Sequence, residues 1–125
     1  NIWGRITFTG RLTKGELYRL YRTADVGVMP SKHEQCSYVA IEMMMFGIPL
    51  VSSTSTGLGE MGNGLYKLPV EETEEDVRVS PEDLARLVIE ALQDSEAGKR
   101  FRDEYEQKFT SERMGENMEK VYGLV

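Results

Sequence analysis

Four short β-like segments alternate with stretches of helical periodicity, and this alternation constrains the fold more than any other property of the chain. The segments are residues 6–9 (Ile-Thr-Phe-Thr), 25–29 (Asp-Val-Gly-Val-Met), 50–52 (Leu-Val-Ser) and 65–68 (Leu-Tyr-Lys-Leu). Helical patterns run over about 14–23, 37–46, from Ser80 onward, 98–108 and 111–122. Strands interleaved with helices form βαβ units, so the expected class is α/β, with a parallel sheet of about four strands and flanking helices. Ligands of such sheets bind at the carboxyl ends of the strands, in the loops leading into helices. Here those loops are residues 30–37 and 54–64.

The helix starts are written in the residues. Thr13, with Glu16 three positions on, is a capping box, and Leu17, Leu20 and Tyr21 follow at helical spacing. Ser80-Pro81-Glu82-Asp83 combines an N-cap, a proline at the first helical position and acids at the positive end of the helix dipole. Leu84, Leu87, Val88, Ala91 and Leu92 form the buried stripe behind it. Gly47 ends the helix over 37–46. The acidic run from Glu71 to Asp76 reads as a solvated loop.

Function concentrates in residues 30–49. Glu34 precedes a helix start near Ser37, and Glu42 sits eight positions later in an otherwise apolar helical run. Carboxylates are rarely placed in such surroundings unless something polar is held there. The free amides of a helix's first turn, with its dipole, suit a phosphate. Glu42 lies roughly 7–8 Å along the helix at 1.5 Å per residue. Two acceptor-only carboxylates thus flank one phosphate-binding helix end, and hydroxyl-rich groups on either side of a phosphate satisfy them, as in a nucleotide sugar.

Other classes are excluded by composition. The formal net charge is −6 with no basic block, which argues against nucleic acid as a partner. One cysteine, Cys36, and one histidine, His33, leave neither a disulfide framework nor a Cys- or His-rich metal site. No apolar run approaches the ~18 residues of a membrane span, so a cytoplasmic setting is expected. The chain begins Asn1-Ile-Trp-Gly without methionine and is read as a single partial domain over residues 1–125.

The pattern Ala24-Asp25-Val, Pro30-Ser31-x-x-Glu34-x(7)-Glu42-Met-Met-x-x-Gly47-x-Pro49-x-Val51 resembles the C-terminal, donor-binding domain of retaining glycosyltransferases of the GT-B fold, family 4. Gly57-Leu-Gly-Glu60 and Asn63-Gly64-Leu65 extend the likeness over nearly the whole chain. The resemblance implies a Rossmann-like, truncated GT-B domain and hexosyl transfer from a nucleotide sugar to a saccharide, lipid-linked or small-molecule acceptor. It implies that Glu34 bonds the donor sugar and faces the reacting carbon, that Glu42 holds the ribose, and that backbone amides at Gln35, Cys36, Ser37 and Tyr38 contact sugar and diphosphate. It also implies transfer with retention, usually without a metal or cofactor, by front-face attack assisted by the leaving phosphate. The whole enzyme would be cytoplasmic, with a peripheral place at the inner face of the membrane also open to it.

Two departures from the family accompany the likeness. Gln35-Cys36-Ser37 stands where the family commonly has Gly-Phe-Gly, and any shift of the backbone there would alter the sugar contacts. The family's Arg and Lys phosphate clamp and its acceptor domain come from segments upstream of Asn1, so this chain alone is expected to be inactive. A non-catalytic nucleotide-binding module and a GT-B nucleotide-sugar epimerase are the competing readings. Such domains order their strands 3-2-1-4-5-6, and residues 6–9 match strand 3. Without strands 1 and 2, residues 6–9 are expected either to slide in beside 25–29 or to leave sheet edges that pair between two copies. Several side chains keep two readings: Glu42 as ligand or as a helix residue reaching solvent, His33 as donor contact or exposed loop residue, and Glu60 as helix cap or nucleotide contact. Cys36, close to a helix N-terminus, has a reactive and a passive reading, of which a passive buried thiol is the one expected, and Met43, Met44 and Met45 are expected to be core filler.

Overall fold

Thr13 closes the capping box: its hydroxyl accepts from the Glu16 amide at 3.3 Å, and the Glu16 carboxylate accepts from the Thr13 amide at 2.8 Å. This starts α1 (Lys14–Tyr21) in the computed structural model, which describes residues 1–123. β1 (Gly27–Met29) leads to α2 (Tyr38–Met45), capped by the Ser37 hydroxyl, which accepts from the Ala40 amide at 3.1 Å. Gly47, at φ +68°, supplies the left-handed residue that ends it. β2 (Leu50–Ser53), α3 (Thr56–Gly59), a 3₁₀ turn (Met61–Gly64) and β3 (Lys67–Leu68) follow. β4 (Glu71–Glu72) and β5 (Val77–Arg78) precede α4 (Pro81–Gln93), α5 (Ala97–Lys108) and α6 (Ser111–Val121).

The sheet is parallel in the order β1-β2-β3, with Val28 opposite Val51 and Ser52 opposite Lys67. Successive residues of β2 point to opposite faces, so Leu50 and Val51 enter different cores. On one face Leu50 joins Ala40, Met44, Leu58, Met61 and Phe101. On the other, Val51 and Leu68 meet Leu87 and Ala91 of α4. Complete burial of side chains this large is worth ~1.5–3 kcal/mol each, which fixes the three-layer order. α5 lies against α2 so closely that a Cβ at Gly98 would stand 2.6 Å from the Gly47 carbonyl oxygen. The Arg102 guanidinium donates to the Met45 carbonyl at the same junction.

The α/β class and the five long helices agree with expectation, but several details do not. Residues 6–9 form no strand: they follow a 3₁₀ turn (Ile2–Arg5), lie exposed and stay outside the sheet. A strand needs a ladder to join, and here β1 remains the sheet's edge. Among the described residues the sheet therefore has three strands rather than four. β3 is shorter than 65–68 because Tyr66 takes φ +52° and breaks the extended run. The acidic stretch is solvated but not a loop: β4 pairs antiparallel with β5, and Thr73 and Asp76 close the turn with a 2.8 Å backbone bond. The loop over 54–64 contains the short α3 and a 3₁₀ turn.

Candidate functional site

The loops after β1 and β2 are pinned to each other at the carboxyl edge of the sheet. The Ser53 hydroxyl donates to the Ser31 carbonyl at 2.6 Å, and the Gly57 amide donates to the Glu34 carbonyl at 2.7 Å. A Cβ at Gly57 would fall 1.9 Å from the Gln35 carbonyl oxygen, so only glycine admits this approach. A cavity of about 360 Å³ opens there, lined by Gln35, Cys36, Gly57, Glu60, Met61, Lys108 and Phe109. A larger groove of about 490 Å³ adjoins it, sharing Cys36, Lys108 and Phe109 and running under Tyr38 and the apolar face of α6.

The sequence-predicted residues divide between these features. Gln35 and Cys36 line the smaller cavity; Cys36 and Tyr38 line the groove. Cys36 is exposed, not the buried thiol expected, because the turn before Ser37 faces the opening. Ser37 is buried, and its hydroxyl is committed to the helix cap and to the Met29 sulfur at 3.5 Å. The Ala40 and Ile41 amides bond back to Ser37, whereas those of Tyr38 and Val39 just after it find no acceptor among the described residues. Glu34 is half-buried and held by its backbone, while His33 is exposed.

Glu42 is half-buried on α2 and lines neither cavity. Its carboxylate accepts from the Tyr21 hydroxyl at 3.5 Å. Burial, and then the Glu42 charge, push that hydroxyl above its ordinary range, so Tyr21 stays protonated as a donor. Glu60 makes no side-chain cap at the 3₁₀ turn it precedes and instead lines the smaller cavity. Of its two readings, the cap is thus not what is found.

Sequence reasoning missed Lys108 and Phe109. They close the helical pattern over 98–108, where a cation at a helix C-terminus is unremarkable, and only the tertiary fold brings them to Cys36. It also missed Lys67, whose ammonium donates to the Ser52 hydroxyl at 2.7 Å and the Leu58 carbonyl at 2.6 Å, fastening α3 to the sheet. Burial pushes its pKa down to about 8, opposed by the Glu104 carboxylate.

The sequence pattern of the family described as glycosyl transferases group 1 matches residues 1–94. The chain belongs to that family. Among relatives of this glycosyltransferase domain, a glycogen synthase of Mycobacterium tuberculosis is 36% identical over 109 residues, covering 84% of this chain and 24% of the relative. An uncharacterized glycosyltransferase of Methanocaldococcus jannaschii is 38% identical over 69 residues, or 52% of this chain and 18% of the relative. A sulfoquinovosyl transferase of Arabidopsis thaliana is 39% identical over 54 residues, covering 43% and 11%. The chain thus spans a quarter or less of the length of these relatives. Among the described residues, no helix of this glycosyltransferase domain is long and apolar enough to cross a membrane.

Proposed function

We propose that this chain is the donor-binding part of a retaining glycosyltransferase that moves a hexosyl group from a nucleotide sugar to a saccharide, lipid-linked or small-molecule acceptor. One observation carries the reading: in a group 1 glycosyltransferase domain, the start of α2 presents unpaired amides beside a cavity at the carboxyl edge of a parallel sheet. In this reading the diphosphate meets those amides, Glu34 and the Gln35–Cys36 backbone contact the sugar, and Glu42 reaches the ribose hydroxyls. The tie to Tyr21 restrains the Glu42 carboxylate in advance, lowering the ordering cost of holding a ligand. The reaction needs no metal or cofactor in this reading, and the acceptor is supplied by a further domain of the whole enzyme, which works in the cytoplasm.

The test is calorimetry of the whole protein carrying this chain against UDP, GDP and ADP. One of them binds, and Glu42→Ala weakens it by about tenfold or more, since a hydrogen bond to a charged group is worth ~1.5–3 kcal/mol. Unchanged affinity in the variant removes Glu42 from the site. Sugar release from the matching donor without any transfer to an acceptor panel would count against the transferase.

A further inference from the structure

Glu104 of α5 is a buried carboxylate, its side chain 1% exposed, and Lys108 pairs with it. Lys108, one turn on, donates to its Oε1 at 3.2 Å; Lys67 of β3, fixed on Ser52 and Leu58, feels its charge from within the core. Among the described residues Oε2 of Glu104 has no partner. A buried carboxylate needs a compensating charge, and one lysine suffices for that. With Lys108 paired to Glu104 and Lys67 held nearby on Ser52 and Leu58, the three groups together carry a surplus positive charge.

That surplus sits at the opening. Lys67 lies inside, whereas the Lys108 side chain is 47% exposed and lines both the smaller cavity and the adjoining groove. Asn63 accepts from its ammonium at 3.1 Å, so two partners from different elements fix where the charge stands. Among the described residues the other charged residue lining these cavities is Glu60, and Glu34 is close by in sequence and half-buried. A doubly anionic ligand entering this acidic surround needs a cation, and among the described residues Lys108 is the lysine or arginine that lines either cavity.

We propose that Lys108 contacts the donor: its ammonium, held by Glu104 and Asn63, meets the diphosphate of the nucleotide sugar bound at the start of α2. This rests on the donor-binding reading above. Glu104 is then a positioning residue, acting through Lys108 rather than on the ligand.

The experiment is calorimetry on the whole protein with UDP, GDP and ADP and with the corresponding nucleosides. For the diphosphate that binds, Lys108→Met loses about tenfold or more in affinity, as expected when a charged hydrogen bond goes, while binding of the matching nucleoside stays within about twofold. Lys108→Arg retains most of the diphosphate affinity, and raising salt weakens the wild type more than Lys108→Met. Because Lys108→Met strands a buried charge, the paired variant Glu104→Gln, Lys108→Met provides a version with no unpaired carboxylate, and it shows the same diphosphate-selective loss. Equal loss for nucleoside and diphosphate marks a purely structural lysine and overturns the proposal, as does undiminished diphosphate binding in the paired variant. Failure of the wild type to bind any diphosphate refutes the donor reading itself, and this one with it.

Discussion

Replacing Gly57 with alanine isolates the contact between the two loops of the site. The φ of Gly57 lies outside the left-handed region, so alanine suffers no backbone strain there and the whole effect is steric. The added methyl would lie 1.9 Å from the Gln35 carbonyl oxygen, 2.5 Å from its carbon and 2.8 Å from the Glu34 oxygen, all backbone atoms that no rotamer change can move. The loops must part, at a cost typical of overpacking, about 1–3 kcal/mol. Parting them also breaks the 2.7 Å bond from the Gly57 amide to Glu34, worth about 0.5–1.5 kcal/mol more. The expected loss is about 2–4 kcal/mol, read as a lower urea midpoint at unchanged slope. Gly115→Ala, inside α6 with nothing within 4 Å of the new methyl, is the control and should gain about 0.5–1 kcal/mol. A Gly57→Ala protein as stable as the wild type, with nucleotide affinity intact, would refute the close approach and the site geometry built on it.

Three further outcomes follow from named contacts. The unfolded chain keeps a proton on Lys67 up to about 10.5 that the folded chain releases near 8, so stability rises with pH between those values. The full difference would be about 3.4 kcal/mol, reduced to about 1–2 by the lysine's partial exposure; Lys67→Met should flatten this limb in a pH series of urea titrations, and an equal rise in the variant contradicts the assignment. Cys36, exposed at the junction of cavity and groove, should react with a maleimide, and a bound nucleoside diphosphate should slow that labelling severalfold, followed by mass spectrometry. Phe101→Ala should lose about 3–5 kcal/mol, because its ring is 1% exposed, stacks on Tyr66 at 6.2 Å and fills the space beside Gly62.

Local signals in the sequence reported local structure well. Thr13 with Glu16, and Ser80 with Pro81, name their helices because a cap involves residues three apart and needs nothing remote. The segment over 6–9 misled for the opposite reason: its alternation suits a strand, but strandhood depends on a partner elsewhere. The acidic hairpin hid behind its charge, since Thr73 and Asp76 close it through side-chain and backbone bonds that composition does not register. At the site, the β1–α2 loop was legible because strand, turn and helix start are contiguous. Lys108 and Phe109 were not, since they reach the site only by the packing of α5, and Lys67 was not because its partners Ser52 and Leu58 come from β2 and α3.

The contact between Gly47 and Gly98 carries a consequence for how changes far from the site would be felt. Lys108 stands ten residues beyond Gly98 along α5, about 15 Å at 1.5 Å per residue. Cys36 and Ser37 stand at the opposite end of α2 from Gly47. The two helices therefore act as the arms of a pair of callipers, closed at one end where their backbones touch and open at the end that the proposed donor site occupies. A side chain inserted at residue 98 would spread the closed end by a fraction of an ångström, and the rigid arms would carry that displacement to the gap between the ammonium and the first turn of α2. Under the proposed donor reading, substitutions that alter donor affinity would then cluster at two separated places, one lining the cavity and one at the Gly47–Gly98 pair remote from it.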